Sequence, residues 1–306
     1  MDKLDAFQRR FKVTAFLFAV IKKFGDDRGG NLAALVTYYA FLSIFPLLLA
    51  AFTVMAYVLS GDQETIRTIE RHVGSYPIIG PAATELEGKR LEGSALAIVA
   101  GVLGLVWGAM GLAQVAQLTM NQAWNVPTRE RLRFVPRLLR GLAWYLAFGL
   151  GIVASTFVTS LGTILKWTGG PVFSGLLALI LNVGLFVLSF RILSPPVASS
   201  RDLLPGAIFS GAVWTFLTGV GIGLAHKLAH ANTLYGSFAP ILALLAFLYL
   251  AARLTLYGIE ANVVTARHVW PRSLTNKDLT GADRAQLEAL AKREERVEQQ
   301  SVEVEF

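Results

Sequence analysis

Long apolar runs separated by short polar interruptions set the pattern of this chain. Runs over about Leu32–Leu59, Ala95–Met120, Gly141–Leu165, Val172–Leu193, Leu203–Leu224 and Phe238–Thr265 stand out. A helix needs ~20 apolar residues to cross a hydrocarbon layer, so the pattern predicts six transmembrane helices. Pro46 sits inside the first run and Ser194-Pro195-Pro196 closes the fourth. The stretch before the first run reads differently. Leu4, Phe7, Phe11, Phe18 and Ile21 recur at helical spacing, with Arg9, Arg10, Lys12, Lys22 and Lys23 between them. That suits an amphipathic helix lying in the membrane interface, or a helix packed on the protein's own surface. Gly25 to Gly30 are expected to break it. Residues 60–94 form the longest polar segment, with a short helix carrying Ile66, Ile69 and Val73. Past Pro271 the chain turns charged, and Thr280 with Asp283 has the spacing of a capping box opening a polar helix. The expected organisation is an all-α polytopic membrane protein. An N-terminal amphipathic cytoplasmic arm covers 1–30, a six-helix transmembrane domain 31–266 and a charged cytoplasmic tail 267–306.

Charge adds an orientation. Of 28 lysines and arginines, twenty-one fall in the arm, the second-to-third loop, the fourth-to-fifth loop and the tail. Six lie on the other side and Arg253 lies inside a span. Basic residues stay on the cytoplasmic side, which places both termini in the cytoplasm. The net charge of +7 therefore follows topology and calls for no nucleic-acid partner. Charged residues make up 16% of the chain, against ~25% in soluble domains. Lys3, Arg9, Arg10 and Lys12 interrupt the first twenty residues, unlike a cleavable signal peptide. With no cysteine in the chain, disulfides, thiolate metal sites and a cysteine nucleophile are excluded.

Candidate chemistry is confined to polar residues inside spans. Gln114, Gln117 and Asn121 share one face of span two; bare amides are costly in lipid, so this face is expected to point into the bundle. Interhelical hydrogen bonding and a hydrated substrate path are the two readings. Arg253 and Glu260 lie seven residues apart on span six, on one face but ~10 Å apart along the axis. Glu260, beside Asn262, is expected to brace a neighbouring helix, taking hydrogen bonds from Gln117, Asn121 or the arginines of the following loop. Tyr38, Tyr39, Ser43 and Pro46 place hydroxyls and a proline in span one, suited to packing or to lining a cavity. His226 and His230 have a spacing that can chelate a metal, yet no zinc motif surrounds them, and interfacial histidine is the preferred reading. Ser155, Thr156, Thr159, Ser160 and Thr163, and the Gly101, Gly104, Gly108 and Gly111 stripe, read as close helix packing. No catalytic triad, phosphate loop or dinucleotide fingerprint is present, so no catalytic residue, cofactor or metal is assigned and an enzyme is not expected.

Five stretches in order resemble the YihY/virulence factor BrkB family. They are Ala33 to Pro46, Asn121-Gln122-Ala123-Trp124-Asn125-Val126 with Arg129 and Arg137-Leu138, Arg201-Asp202 through Leu204-Pro205-Gly206-Ala207, Tyr235 to Ala239, and Gly258-Ile259-Glu260-Ala261-Asn262. The resemblance covers roughly residues 5–270. It implies a six-spanning bacterial inner-membrane protein, in a family variously labelled ribonuclease BN-like and linked with serum resistance and envelope lipid handling. Arg253 departs from the pattern, which has an aliphatic residue there. The leading functional expectation is transport or flipping of a lipid or other amphiphile, with membrane lipids and envelope proteins as partners. A non-transporting membrane scaffold is the alternative and a ribonuclease the least favoured.

Overall fold

The computed structural model describes residues 5, 8, 10–58, 110–164, 170–228, 239–274 and 278–306; for 45–58, 152–153, 155–164, 170–171, 220–228 and 239–240 it describes the backbone alone. Regular structure among the described residues is helical: α1 (Lys12–Asp26), α2 (Gly29–Val58), α3 (110–123), a 3-10 turn (Thr128–Glu130), α4 (Phe134–Ile164), α5 (Gly170–Leu193), α6 (Leu204–Leu228), α7 (Ala239–Ala266) and α8 (Gly281–Lys292). Within these, Val172–Leu193 and Ile241–Ala266 are long and apolar enough to cross a membrane, and Gly29–Ile44 and Leu204–Gly219 are shorter apolar helices. The 60–94 segment with Ile66, Ile69 and Val73, most of the second apolar run with Gly101, Gly104 and Gly108, and His230 lie outside the described residues. So do the side chains of Pro46, His226 and the Ser/Thr group of α4.

The chain divides into two compact units. One comprises Met1–Ala33, Ala113–Thr215 and Ala252–Phe306; the other Ala34–Leu112 and Phe216–Ala251. In the first, α4 packs along α5. Trp144, Ala178, Leu185, Phe186 and Phe190 are buried, whereas Leu142, Leu146 and Leu150 on α4, and Val172, Leu176 and Ile180 on α5, are exposed. Both exposed sets recur every four residues, so each helix turns an apolar stripe outward. Polar side chains turn inward: Asn182 Nδ2 donates to Thr215 Oγ1 at 3.0 Å, tying α5 to α6. In the second unit, Tyr39 occupies the space a side chain at Gly111 would fill, and its ring meets that of Tyr38 edge to face at 5.3 Å.

The break after α1 is narrower than the glycines suggest. It is confined to Asp27 and Arg28, and Gly29 and Gly30 already belong to α2. Arg28 adopts a positive φ of 54°, and the Asp27 and Arg28 amides return to the Lys23 and Gly25 carbonyls. The left-handed residue ends α1 without a glycine. Gly29 serves another end: a side chain there would strike the Phe24 ring, which stacks on Tyr257 of α7 at 4.2 Å. The tail helix begins as its sequence suggests. Thr280 accepts from the Asp283 amide and Asp283 from the Thr280 amide, a reciprocal capping box.

Candidate functional site

The site grows from the end of α3. A helix leaves its last four carbonyls without intrahelical partners and carries partial negative charge there. Here the Val126 amide returns to the Asn121 carbonyl and the Asn125 amide to that of Gln122, with Asn125 at φ 50°. This is a Schellman turn, and it gives the Asn-x-Ala-Trp-Asn stretch a structural reason. Cations gather on the carbonyls of this turn, including that of Gln122, which also takes the Asn125 amide. Arg293 Nη1 donates to Gln122 at 3.2 Å, Lys23 Nζ to Ala123 at 2.7 Å and Arg267 Nη2 to Trp124 at 2.6 Å. Arg131 donates to the Val126 carbonyl from Nε and Nη2, each at 3.3 Å. Burial first, then the nearby Arg293 charge, lowers the pKa of Arg131; burial also lowers that of Arg267, against the opposing pull of Asp27.

Lys23 is the centre of the arrangement. Its ammonium has three donors, and all three find acceptors: Asp27 Oδ2 at 2.5 Å, Ala123 O at 2.7 Å and Glu260 Oε2 at 2.8 Å. Asp27 also receives Arg293 Nη1 at 2.6 Å. Lys23, Asp27 and Glu260 are each at most 1% exposed. Two cations thus balance two anions, and the group joins the arm (α1), the end of α3, α7 and the tail beyond α8. The expectation that Glu260 is held by Gln117, Asn121 or the loop arginines is corrected: Lys23 of the arm holds it. Gln117 instead spends its Nε2 on the Arg137 carbonyl at 3.0 Å and that of Ala113 at 3.4 Å.

Two residues beyond Glu260, Asn262 Oδ1 accepts from the Gly206 amide at 2.6 Å. Gly206 lies in the first turn of α6, where the amide lacks an intrahelical acceptor, so α7 caps α6 from the side. A methyl group at Gly206 would collide with the Gly258 carbonyl, and one at Gly258 with Ser210 Oγ. Both glycines are needed for this close crossing.

The remaining candidates are dispersed. Gln117 is buried, and Gln114 and Asn121 are half-buried. Arg253 is exposed, its guanidinium 5.7 Å from the Phe24 ring centre and 5.9 Å from that of Tyr257. In the second unit Tyr38 is exposed, and Ser43 is buried with its hydroxyl donating to the Ala40 carbonyl at 2.8 Å. Among the described residues no group of three or more His, Cys, Asp or Glu side chains is placed to hold a metal ion.

Lys23, Asp27 and Arg293 escape a sequence reading because each sits in a segment that looks polar and solvated. One signal was available: Ala15, Ala19 and Lys23 on α1 and Asp27 at its C-terminal cap recur every four residues. A small-residue face ending in a Lys–Asp pair marks a helix surface pressed close to a neighbour.

Comparison with known proteins gives the family. The family model described as virulence factor BrkB matches residues 20–280. The ribonuclease-like protein YfkH of Bacillus subtilis is 23% identical over 272 residues, covering 82% of this chain and 94% of its own. A UPF0761 membrane protein of Pseudomonas aeruginosa is 26% identical over 268 residues, 82% of this chain and 62% of its own. Another, of Halorhodospira halophila, is 27% identical over 82% of this chain and 57% of its own. The chain thus spans less than two thirds of the length of these two membrane proteins. No solved structure matches. The chain belongs to the virulence factor BrkB family of membrane proteins.

Proposed function

We propose, with that family membership as premise, that the protein crosses the bacterial inner membrane six times with both termini in the cytoplasm, and that it moves lipid or another amphiphile across the bilayer. One observation carries the membrane reading. Lys23, Asp27, Glu260, Arg272 and Asp283 are buried while Leu146, Leu150, Val172, Phe173, Leu176, Ile180 and Phe216 are more than half exposed. Such an inversion is costly in water and natural in lipid. Movement of an amphiphile is supported by the hydroxyls that α2 carries within an apolar helix at Tyr38, Tyr39 and Ser43, and by exposed cations at Arg10, Lys12, Arg28, Arg133 and Arg201 that suit anionic headgroups.

The test is a scrambling assay. Purified protein in liposomes carrying a fluorescent phospholipid in both leaflets should expose the inner-leaflet label to a membrane-impermeant quencher. Protein-free vesicles should keep it protected. Protection equal to that of empty vesicles, across zwitterionic and anionic lipids, would overturn the transport reading. A reporter fused after Phe306 should work only if it is active in the cytoplasm.

The scaffold reading is favoured by a different observation, the close bonding of arm to tail. Gln8 Nε2 donates to the Arg272 carbonyl, the Leu274 amide to Asp5 Oδ1 and Lys22 Nζ to Asp283. A scaffold would leave the vesicle label protected and lose partners when this module is cut away. A nuclease is not supported. Asp27 and Glu260, the carboxylates on either side of Lys23, are buried and committed to Lys23 and Arg293, whereas RNA cleavage needs an acid and base that water and substrate can reach.

A further inference from the structure

The arm helix has two apolar faces, and among the described residues only one is covered by protein. Ala15, Ala19, Val20 and Phe24 are buried. Ala19 and Val20 pack with Val264 and Val269, flanked by Phe16 and Trp270. On the other side Val13, Leu17 and Ile21 are 70%, 54% and 57% exposed, and Phe11 at the helix start is 49% exposed. Val13, Leu17 and Ile21 repeat every four residues and so form a stripe slowly winding round α1. Of the positions that the amphipathic pattern groups together, Phe11 and Ile21 face outward whereas Phe18 is half-buried.

Among the described residues, the exposed charges of α1 and its two ends are of one sign. Arg10 and Lys12 are exposed at one end of α1 and Arg28 at the other. The acids of the helix are turned away: Asp26 bonds Arg272, and Asp27 bonds Lys23 and Arg293. Lys23 lies ~120° round the helix from Leu17, so the buried charge group and the Phe24–Tyr257 stack clamp α1 from behind and fix the direction of the stripe.

We propose that this face of α1 is a lipid-docking surface, seated in the headgroup–acyl boundary of an anionic bilayer leaflet. Val13, Leu17 and Ile21 enter the acyl edge, while Arg10, Lys12 and Arg28 reach phosphate groups. A second copy of the chain fits less well, because two such faces would oppose cation to cation. The proposal rests on the membrane reading above.

The absence of cysteine in the chain makes the test direct. Leu17→Cys and Ile21→Cys each carry a nitroxide in full-length protein reconstituted into vesicles of phosphatidylethanolamine and phosphatidylglycerol. Collision with oxygen, which concentrates in lipid, is compared with collision with a water-soluble nickel chelate. Leu176→Cys on the outward stripe of α5 is the lipid reference and Glu298→Cys in the tail the water reference. Labels at 17 and 21 should favour oxygen severalfold over the label at 298. If they behave like the label at 298 while that at 176 reports lipid, docking is overturned and the membrane reading stands. If the label at 176 also reports water, the membrane reading itself fails. Dipolar broadening between labels at 17 in neighbouring molecules, without oxygen preference, would assign the face to a second copy and refute the proposal.

Discussion

Two neighbouring pairs on the arm meet opposite fates. Lys22 and Asp26 serve the tail: Lys22 Nζ lies 2.9 Å from Asp283 Oδ1 and donates to the Ser273 carbonyl at 2.7 Å, while Asp26 Oδ2 lies 2.8 Å from Arg272 Nη2. Arg272 Nε closes this network on Asp283 at 2.7 Å. Lys23 and Asp27, one position along, serve α3, α7 and the residue after α8. Each network balances two cations with two anions, and both are largely buried. What differs is the surroundings. The tail network has local help, since Asp283 also takes the Ser273 and Thr280 amides. The Lys23 network joins elements 100 and 237 residues apart in sequence and closes the open end of a helix. Equal charge counts therefore do unequal structural work: one network folds the tail, the other holds apolar helices together.

Removing Lys23 should separate the two most sharply. Lys23→Met leaves Asp27 and Glu260 facing each other without the shared cation and leaves the Ala123 carbonyl bare. Breaking a buried ion pair by removing one partner costs about 3–5 kcal/mol. Folded yield and melting temperature in detergent should fall steeply, more than for any change in the tail network. Glu260→Ala comes next, with loss in the same range, since it leaves the Lys23 ammonium short of one acceptor. Glu260→Gln keeps shape and an acceptor without the charge and should fall between wild type and alanine.

Asp283→Asn probes the tail network and adds a pH signature. Burial opposes ionisation of Asp283, but hydrogen bonds from Arg272, the Ser273 amide, Lys22 and Thr280 outweigh it and hold the carboxyl well below the usual carboxylate range. A carboxylate with depressed folded pKa contributes stability that is complete above its unfolded value, ~4, and is lost as pH falls further. Melting curves at decreasing pH should therefore show the wild-type tail loosening below about pH 4. Asp283→Asn should lose roughly 2 kcal/mol at neutral pH, the scale of hydrogen bonds to a charged group, and that part of the acid dependence. The smallest effect is expected from Arg253→Leu. Its guanidinium rests on Phe24 and Tyr257 at an exposed site, where such contacts contribute ~0.5–1 kcal/mol. A larger loss from Arg253→Leu than from Glu260→Ala, read as melting temperature in detergent, would reverse the ranking of the two ionisable groups of α7.

Helices and caps were legible in the sequence because they depend on local patterns. The apolar runs coincide with α2, α4, α5, α6 and α7, and the Thr280–Asp283 box opens α8 as its spacing suggests. Glu260 stood out as a carboxylate within an apolar helix, but its partner did not. The search for a donor favoured polar residues at the same depth on span two, whereas the fold brings in an arm lysine that sequence alone assigns to a solvated basic face. Long-range pairing of this kind leaves no periodic trace. The close crossing at Gly206 and Gly258 was visible only as part of a family motif, since a glycine in an apolar helix does not reveal which backbone approaches it. Arg253 illustrates the converse: a span-six charge read as interior rests over aromatic rings at an exposed position.

The claim that the arm is locked to α7 through Lys23 is tested most directly by a double-mutant cycle. Thermal stability in one detergent is measured for wild type, Lys23→Met, Glu260→Gln and the double variant. A direct buried pair predicts strong coupling, of order 1–3 kcal/mol, with the double variant far less damaged than the sum of the single changes. Additive losses would contradict the account, because they would mean that Lys23 and Glu260 stabilise the protein independently of one another.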